Sequence, residues 1–130
     1  MLTLKEFAEG DRNFVAVVNG KEVFISTKSD LIPILDYLDS DRTGHDDTVL
    51  FDRYIGRAAA LLMTMLKPAR VCTPVISKGG RAVFEEYGIE FEATETVEYL
   101  MGVASDGMCR WEKLAQGKSP SEFHQLVKSR

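Results

Sequence analysis

Cysteine and histidine are scarce in this chain, two of each, and neither pair falls in a metal-binding pattern. Zinc sites cluster their ligands at short spacings, because the ion needs several thiolate or imidazole donors on one local scaffold. Cys72 and Cys109 each stand alone, His45 is followed by two aspartates, and His124 lies in a helical pattern near the C-terminus. Zinc-dependent deamination needs His-x-Glu together with Pro-Cys-x-x-Cys, and both are absent. No metal ligand set and no cofactor is therefore expected. The thiols are read as reduced, in a cytoplasmic protein. MLTLKEFAEGDR has no apolar signal core, and no run approaches the roughly 18 apolar residues of a membrane span. No Lys/Arg cluster offsets the formal net charge of -4, so neither a membrane nor a nucleic acid is an expected partner.

What remains is ordinary globular material. The chain has 130 residues, 45% hydrophobic and 28% charged, enough for one core and far from a disordered composition. No repeat, low-complexity tract or linker divides it. One domain over 1–130 is expected, with its core at about 13–115 and a last helix at about 119–128.

The organising stretch is Asp52 to Pro68, DRYIGRAAALLMTMLKP. Its apolar residues leave almost no solvated face, which is the pattern of a central helix. Asp52 is read as its cap, and Arg57 stands near the end whose dipole disfavours cations. Before it, Thr3 with Glu6 fits a capping box, and Gly10 a stop. Asn13 to Thr27 reads as a hairpin around Asn19-Gly20, a type I′ signal. That turn opposes Val18 and Lys21, placing Phe14, Ala16, Val18, Val23 and Ile25 on one face. Val15, Val17, Phe24 and Glu22 then share the other. Asp30 is read as the start of a helix carrying Leu31, Ile34, Leu35 and Leu38, and Asp39 to Asp47 as an acidic loop.

Beyond the central helix, Arg70 to Ile76 reads as a strand that Pro74 assigns to an edge or a bulge. Ser77-Lys78-Gly79-Gly80 opens a helix that ends at Tyr87, with Gly88 past its end. Ile89 to Ala93 is a strand. Val97, Leu100 and Met101 mark a short helix, Gly102 to Gly107 a loop, and Cys109 to Ala115 another short helix. Ser119-Pro120-Ser121-Glu122 begins the last helix with a capping box. The alternation predicts an α/β fold with a mixed sheet flanked by helices.

Several places could carry chemistry. Asp39-Ser40-Asp41-Arg42-Thr43-Gly44 has the opening of an EF-hand loop, but Leu50 stands where a bidentate Glu is required. Ser77, Lys78, Gly79 and Gly80 form a strand-to-helix turn whose free amides suit an anion, although such turns also serve as plain caps. Arg57 and Asp52 would join that site if both helices start at one sheet edge. The alternative is an arginine paired with a nearby acid. Cys109 near a helix start is a candidate nucleophile with Glu112 as proton carrier, against an inert buried thiol and a solvated glutamate. Trp111 is read as core.

Gly56-Arg57-Ala58-Ala59-Ala60-Leu61-Leu62, Val75-Ile76-Ser77-Lys78, Tyr87-Gly88-Ile89 and Cys109-Arg110-Trp111-Glu112 together resemble a small prokaryotic family of unknown function. Its fold is similar to cytidine deaminase, and its members lack the zinc-binding signature. The resemblance spans about Asn13 to Ala115. The family's last block reads Cys-Pro-Met-Glu, whereas Arg110 and Trp111 stand in the middle here. The resemblance implies a three-layer α/β/α sandwich and a single deaminase-like domain. Gly56-Arg57-Ala58 would occupy the neighbourhood where deaminases carry His-x-Glu. It also implies a pocket that binds a nucleotide or other phosphorylated small molecule without deaminating it. A Cys109-dependent enzyme and an interaction module with a vestigial pocket are the alternatives, and a homodimer is the assembly to test.

Overall fold

The structure is a computed structural model, and it describes residues 1–100 and 110–128. Among these residues six helices and six strands follow in the order α1 (Leu4–Glu9), β1 (Phe14–Val18), β2 (Lys21–Ser26), α2 (Ile32–Leu38), β3 (Val49–Asp52), β4 (Tyr54–Ile55), α3 (Arg57–Thr64), β5 (Arg70–Ser77), α4 (Lys78–Tyr87), β6 (Phe91–Val97), α5 (Arg110–Ala115) and α6 (Pro120–Lys128). The strands form one mixed sheet in the order β2-β1-β3-β5, with β4 continuing the line of β3 beside β5 and β6 on the far side of β5. The β2–β1 and β1–β3 pairs are antiparallel; β3, β4 and β6 run parallel to β5.

The two sheet faces are covered unequally. Val15, Val17, Phe51 and Cys72 form a small cluster with Phe7 of α1, whose ring lies 5.6 Å from that of Phe51. Phe14, Ala16, Leu50, Val71 and Ile76 face the large cluster, which α2, α3, α4 and α6 complete. In α3, Ala58 through Met63 are all buried, as a helix without a polar face must be. Removing that much apolar surface from water is the main stabilising term of the domain.

Arg53 fastens α1 to the sheet. Its guanidinium donates to the carbonyls of Phe7, Ala8, Gly10 and Arg12 and to Asn13 Oδ1, at 2.7–3.2 Å. Placing a cation on the last carbonyls of a helix satisfies acceptors that have no partner within the helix and complements its dipole.

Several local readings hold. Thr3 and Glu6 make the capping box, Asn19 and Gly20 both take positive φ at the hairpin turn, and Ser119 and Glu122 cap α6 reciprocally. Ser77 caps α4 through Gly80 N–H at 3.0 Å, and Gly88 closes it at φ 69°.

Four differ. The helix expected from Asp52 starts only at Arg57, because Asp52 ends β3 and Tyr54–Ile55 pair with β5. Asp30 does not cap α2; it takes φ 58°, and Leu31 is the cap residue. Pro74 lies in a strand paired on both sides, where both ladders skip it, since proline has no N–H to offer. A bulge between Ala16 and Val17 opposes Phe24 to Ala16, so Phe24 packs at 6.1 Å on Phe14 and Ile25 is the exposed residue. Val97 ends β6 and residues 98–100 are not helical. Met101, the loop 102–107 and Cys109 lie outside the described residues.

Candidate functional site

The break between β3 and β4 shapes the site. Leu50 and Ile55 face the same cluster although five positions separate them, as do Val71 and Ile76 on β5. Strict alternation would send the later residue to the opposite face, so both strands turn over together around Arg53 and Pro74. Asp52 sits at this turnover, opposite Phe14, and is buried. A cavity of about 270 Å³ opens there, between the ends of β3 and β4, α2, the start of α3, and α5. It lies at the C-terminal edge of parallel strands, where open α/β sheets characteristically bind ligands.

Its inner wall is Leu31, Pro33, Asp52, Gly56, Ala58 and Ala59, all buried, with Glu112 from α5. Its mouth is exposed: Lys28, Ser29, Asp30 and Tyr54. Burial drives the Asp52 carboxyl well above the ordinary aspartate range, outweighing the Arg53 and Tyr54 amides and the Arg53 charge that favour ionisation. Asp30, also at the mouth, is held at positive φ, a conformation that costs a non-glycine residue of order 1 kcal/mol. Neither basic side chain of the lining offers a free charge. Arg53 is engaged by α1, and Lys28 Nζ lies 3.1 Å from Asp36 Oδ2.

Glu112 carries the geometry at the other wall. Helix α3 has no side-chain cap of its own and no acid in its first turn. Its first amide, Arg57 N–H, donates instead to Glu112 Oε1 at 2.5 Å, while Leu100 N–H donates to Oε2 at 3.0 Å. A carboxylate at this end of a helix is favoured by the exposed donors and the dipole. Gly56 makes room for it. A Cβ at position 56 would sit 2.7 Å from Glu112 Cδ and Oε1, and 3.0 Å from a methyl of Leu100.

Arg57 returns the contact. Its guanidinium donates to the carbonyls of Ala115 and Lys118 at 2.8 and 3.1 Å, at the end of α5. Each helix thus supplies the charge the other's terminus needs, and the pair latches α5, with Trp111, over the cavity.

The residues proposed from sequence are divided by this arrangement. Asp52 and Glu112 line the cavity, and Arg57 adjoins it with its charge committed to α5. Ser77, Lys78, Gly79 and Gly80 do not line it. The Ser77 hydroxyl is buried as the α4 cap, and Lys78 is exposed and pairs with Glu98. The two glycines permit close packing: a Cβ on Gly80 would lie 3.0 and 3.2 Å from the carbonyl oxygens of Ile55 and Gly56, and one on Gly79 3.3 Å from Arg57 Cβ. Cys109 lies outside the described residues, and Cys72 is a free, buried thiol whose pKa burial pushes up. Among the described residues no group of three His, Cys, Asp or Glu is placed to hold a metal ion. None of their helices is long and apolar enough to cross a membrane.

A family profile described as a domain of unknown function, DUF1893, matches residues 3–129. The chain belongs to the DUF1893 family. The crystal structure of a DUF1893 family protein from Thermotoga maritima, TM1506, solved at 2.70 Å, superposes with a TM-score of 0.85 at 30% identity. The match covers 97% of this chain and 85% of that one. No curated protein matches the DUF1893 chain. Its membership accounts for the sequence resemblance to a family of unknown function, and assigns no ligand or reaction to the Asp52–Glu112 cavity.

Proposed function

We propose that this DUF1893 domain binds a small molecule of the nucleotide or nucleoside type in the Asp52–Glu112 cavity, without deaminating it. The buried carboxyl of Asp52 carries this reading. The Arg53 and Tyr54 amides offset the desolvation of this acid only in part, and a buried acid with a raised pKa in a cleft is a candidate for ligand contact. A heterocyclic base offers N–H donors for such a group and a flat apolar body for Leu31, Pro33 and Trp111. The volume of about 270 Å³ suits one ring system and its immediate substituents. Any phosphate stays at the solvent-exposed mouth. The proposed architecture is the three-layer sandwich of cytidine deaminase, and its support is one helix on the Val15 face with the other packed helices opposite.

Native mass spectrometry of freshly purified protein, compared with its denatured mass, tests the reading. Added nucleosides and nucleotides should give a one-to-one complex that Asp52→Asn weakens at least tenfold and Lys78→Ala leaves unchanged. A complex lost on Lys78→Ala but kept on Asp52→Asn would move the site to the start of α4 and refute it.

A further inference from the structure

The cavity's charge pattern restricts what can enter it. Among the described residues three carboxyl-bearing side chains line it, Asp30, Asp52 and Glu112, against two basic ones, Lys28 and Arg53. The basic pair is committed elsewhere. Arg53 points into the turn after α1, where carbonyls and Asn13 Oδ1 take its donors, and Lys28 bridges to Asp36. Two helix starts meet the cavity: that of α2, at Leu31 and Pro33, has no side-chain cap, and that of α3 already holds an anion. Glu112 lies on its first amide in a hollow that any side chain at position 56 would fill. Among the described residues, a ligand reaching the inner wall therefore meets the carboxyl groups of Asp52 and Glu112 with no unclaimed side-chain cation behind them.

We infer that the inner end of this cavity takes the uncharged or cationic, N–H-donating head of its ligand, such as an amide, amidine or amino-heterocycle, and excludes carboxylates and phosphates. The inference rests on the cavity being the binding site and deepens that reading. The α3 terminus would have been the natural cradle for a phosphate, and the chain fills it with its own Glu112. Ligand anions, where present, stay at the mouth.

Benzamidine, benzamide and benzoate share one ring and one size and differ in the charge and donors of the head group. Amide chemical-shift titration of the full chain with each, and with inorganic phosphate, separates the possibilities. Benzamidine and benzamide should shift the amides of Gly56, Ala58 and Trp111 in saturable fashion, and benzoate should bind there at least tenfold more weakly. Asp52→Asn should weaken benzamidine and benzamide each about tenfold or more, benzamidine the more strongly, with the spectrum itself reporting that the variant is folded. Benzoate or phosphate binding at these amides as tightly as benzamidine would overturn the inference while leaving the cavity as the site. No shift at these amides with any of the four would overturn the site reading together with it.

Discussion

Replacing Glu112 by alanine removes a buried carboxylate from the start of a helix that has no other cap. The loss is the charge-assisted bond from Arg57 N–H at 2.5 Å and the one from Leu100 N–H at 3.0 Å. Hydrogen bonds to charged groups contribute about 1.5–3 kcal/mol each, and the two donors left behind are part-buried. Relief of the carboxylate's own desolvation offsets part of this sum, which leaves a destabilisation of about 3 kcal/mol. For a chain of 130 residues that corresponds to a fall in Tm of roughly 10 °C. Denaturant unfolding monitored by circular dichroism gives the free energy, and hydrogen exchange gives its location: the amides of Arg57 and Leu100 should lose protection first. Formate at tens of millimolar should raise the Tm of the alanine variant more than that of the native chain, because a small anion can enter the vacated place. A loss below about 0.5 kcal/mol, the size expected for a solvated surface glutamate, with no change in exchange at Arg57, would refute the argument.

Three further perturbations follow from the same contacts. Gly56→Ala should cost about 1–3 kcal/mol because its Cβ would meet Glu112 and Leu100 at 2.7–3.0 Å, and combined with Glu112→Ala it should cost clearly less than the sum, which a double-mutant cycle by urea unfolding measures. Arg53→Lys should cost about 2–3 kcal/mol and speed exchange of the α1 amides, since an ammonium cannot span the carbonyls that the guanidinium fork reaches. Asp52→Asn tests the raised pKa of Asp52. The native state binds this proton more tightly than the unfolded chain, so the group's contribution is fully present below the ordinary aspartate pKa and is lost as pH rises through the folded value. The asparagine variant should therefore gain stability relative to the native chain from about pH 4 upward; a difference that is flat, or that shrinks with rising pH, contradicts this.

Local signals were the most legible part of the fold. Ser77, Gly88, Ser119 with Glu122, and Asn19-Gly20 act through contacts within a few residues, so their chemistry is written in consecutive positions. The start of α3 was misread for a physical reason. Asp52 has the composition of a cap, but a central strand buried on both faces is apolar throughout and merges with the helix that follows it. Gly56 was the better signal. A buried helix that opens on glycine, with no Ser, Thr, Asp or Asn at its cap, must receive an acceptor from elsewhere in the chain. That acceptor, Glu112, is 55 positions from Arg57, and no local pattern links the two. The same distance hides the fate of Arg57, whose charge caps α5. Ser77 to Gly80 show the opposite ambiguity: the glycines sit where the backbones of β4 and α3 approach α4, a packing requirement that has the same sequence signature as a phosphate cradle.

The location of the ligand site is the claim on which the functional account turns. Two-dimensional NMR of the labelled native chain, titrated with adenosine and separately with inorganic phosphate, tests it most directly. Adenosine-dependent shifts should concentrate at Leu31, Gly56, Ala58 and Trp111, with phosphate leaving those amides unmoved. Phosphate-dependent shifts at Ser77 to Gly80, with the amides around Asp52 silent to adenosine, would contradict it.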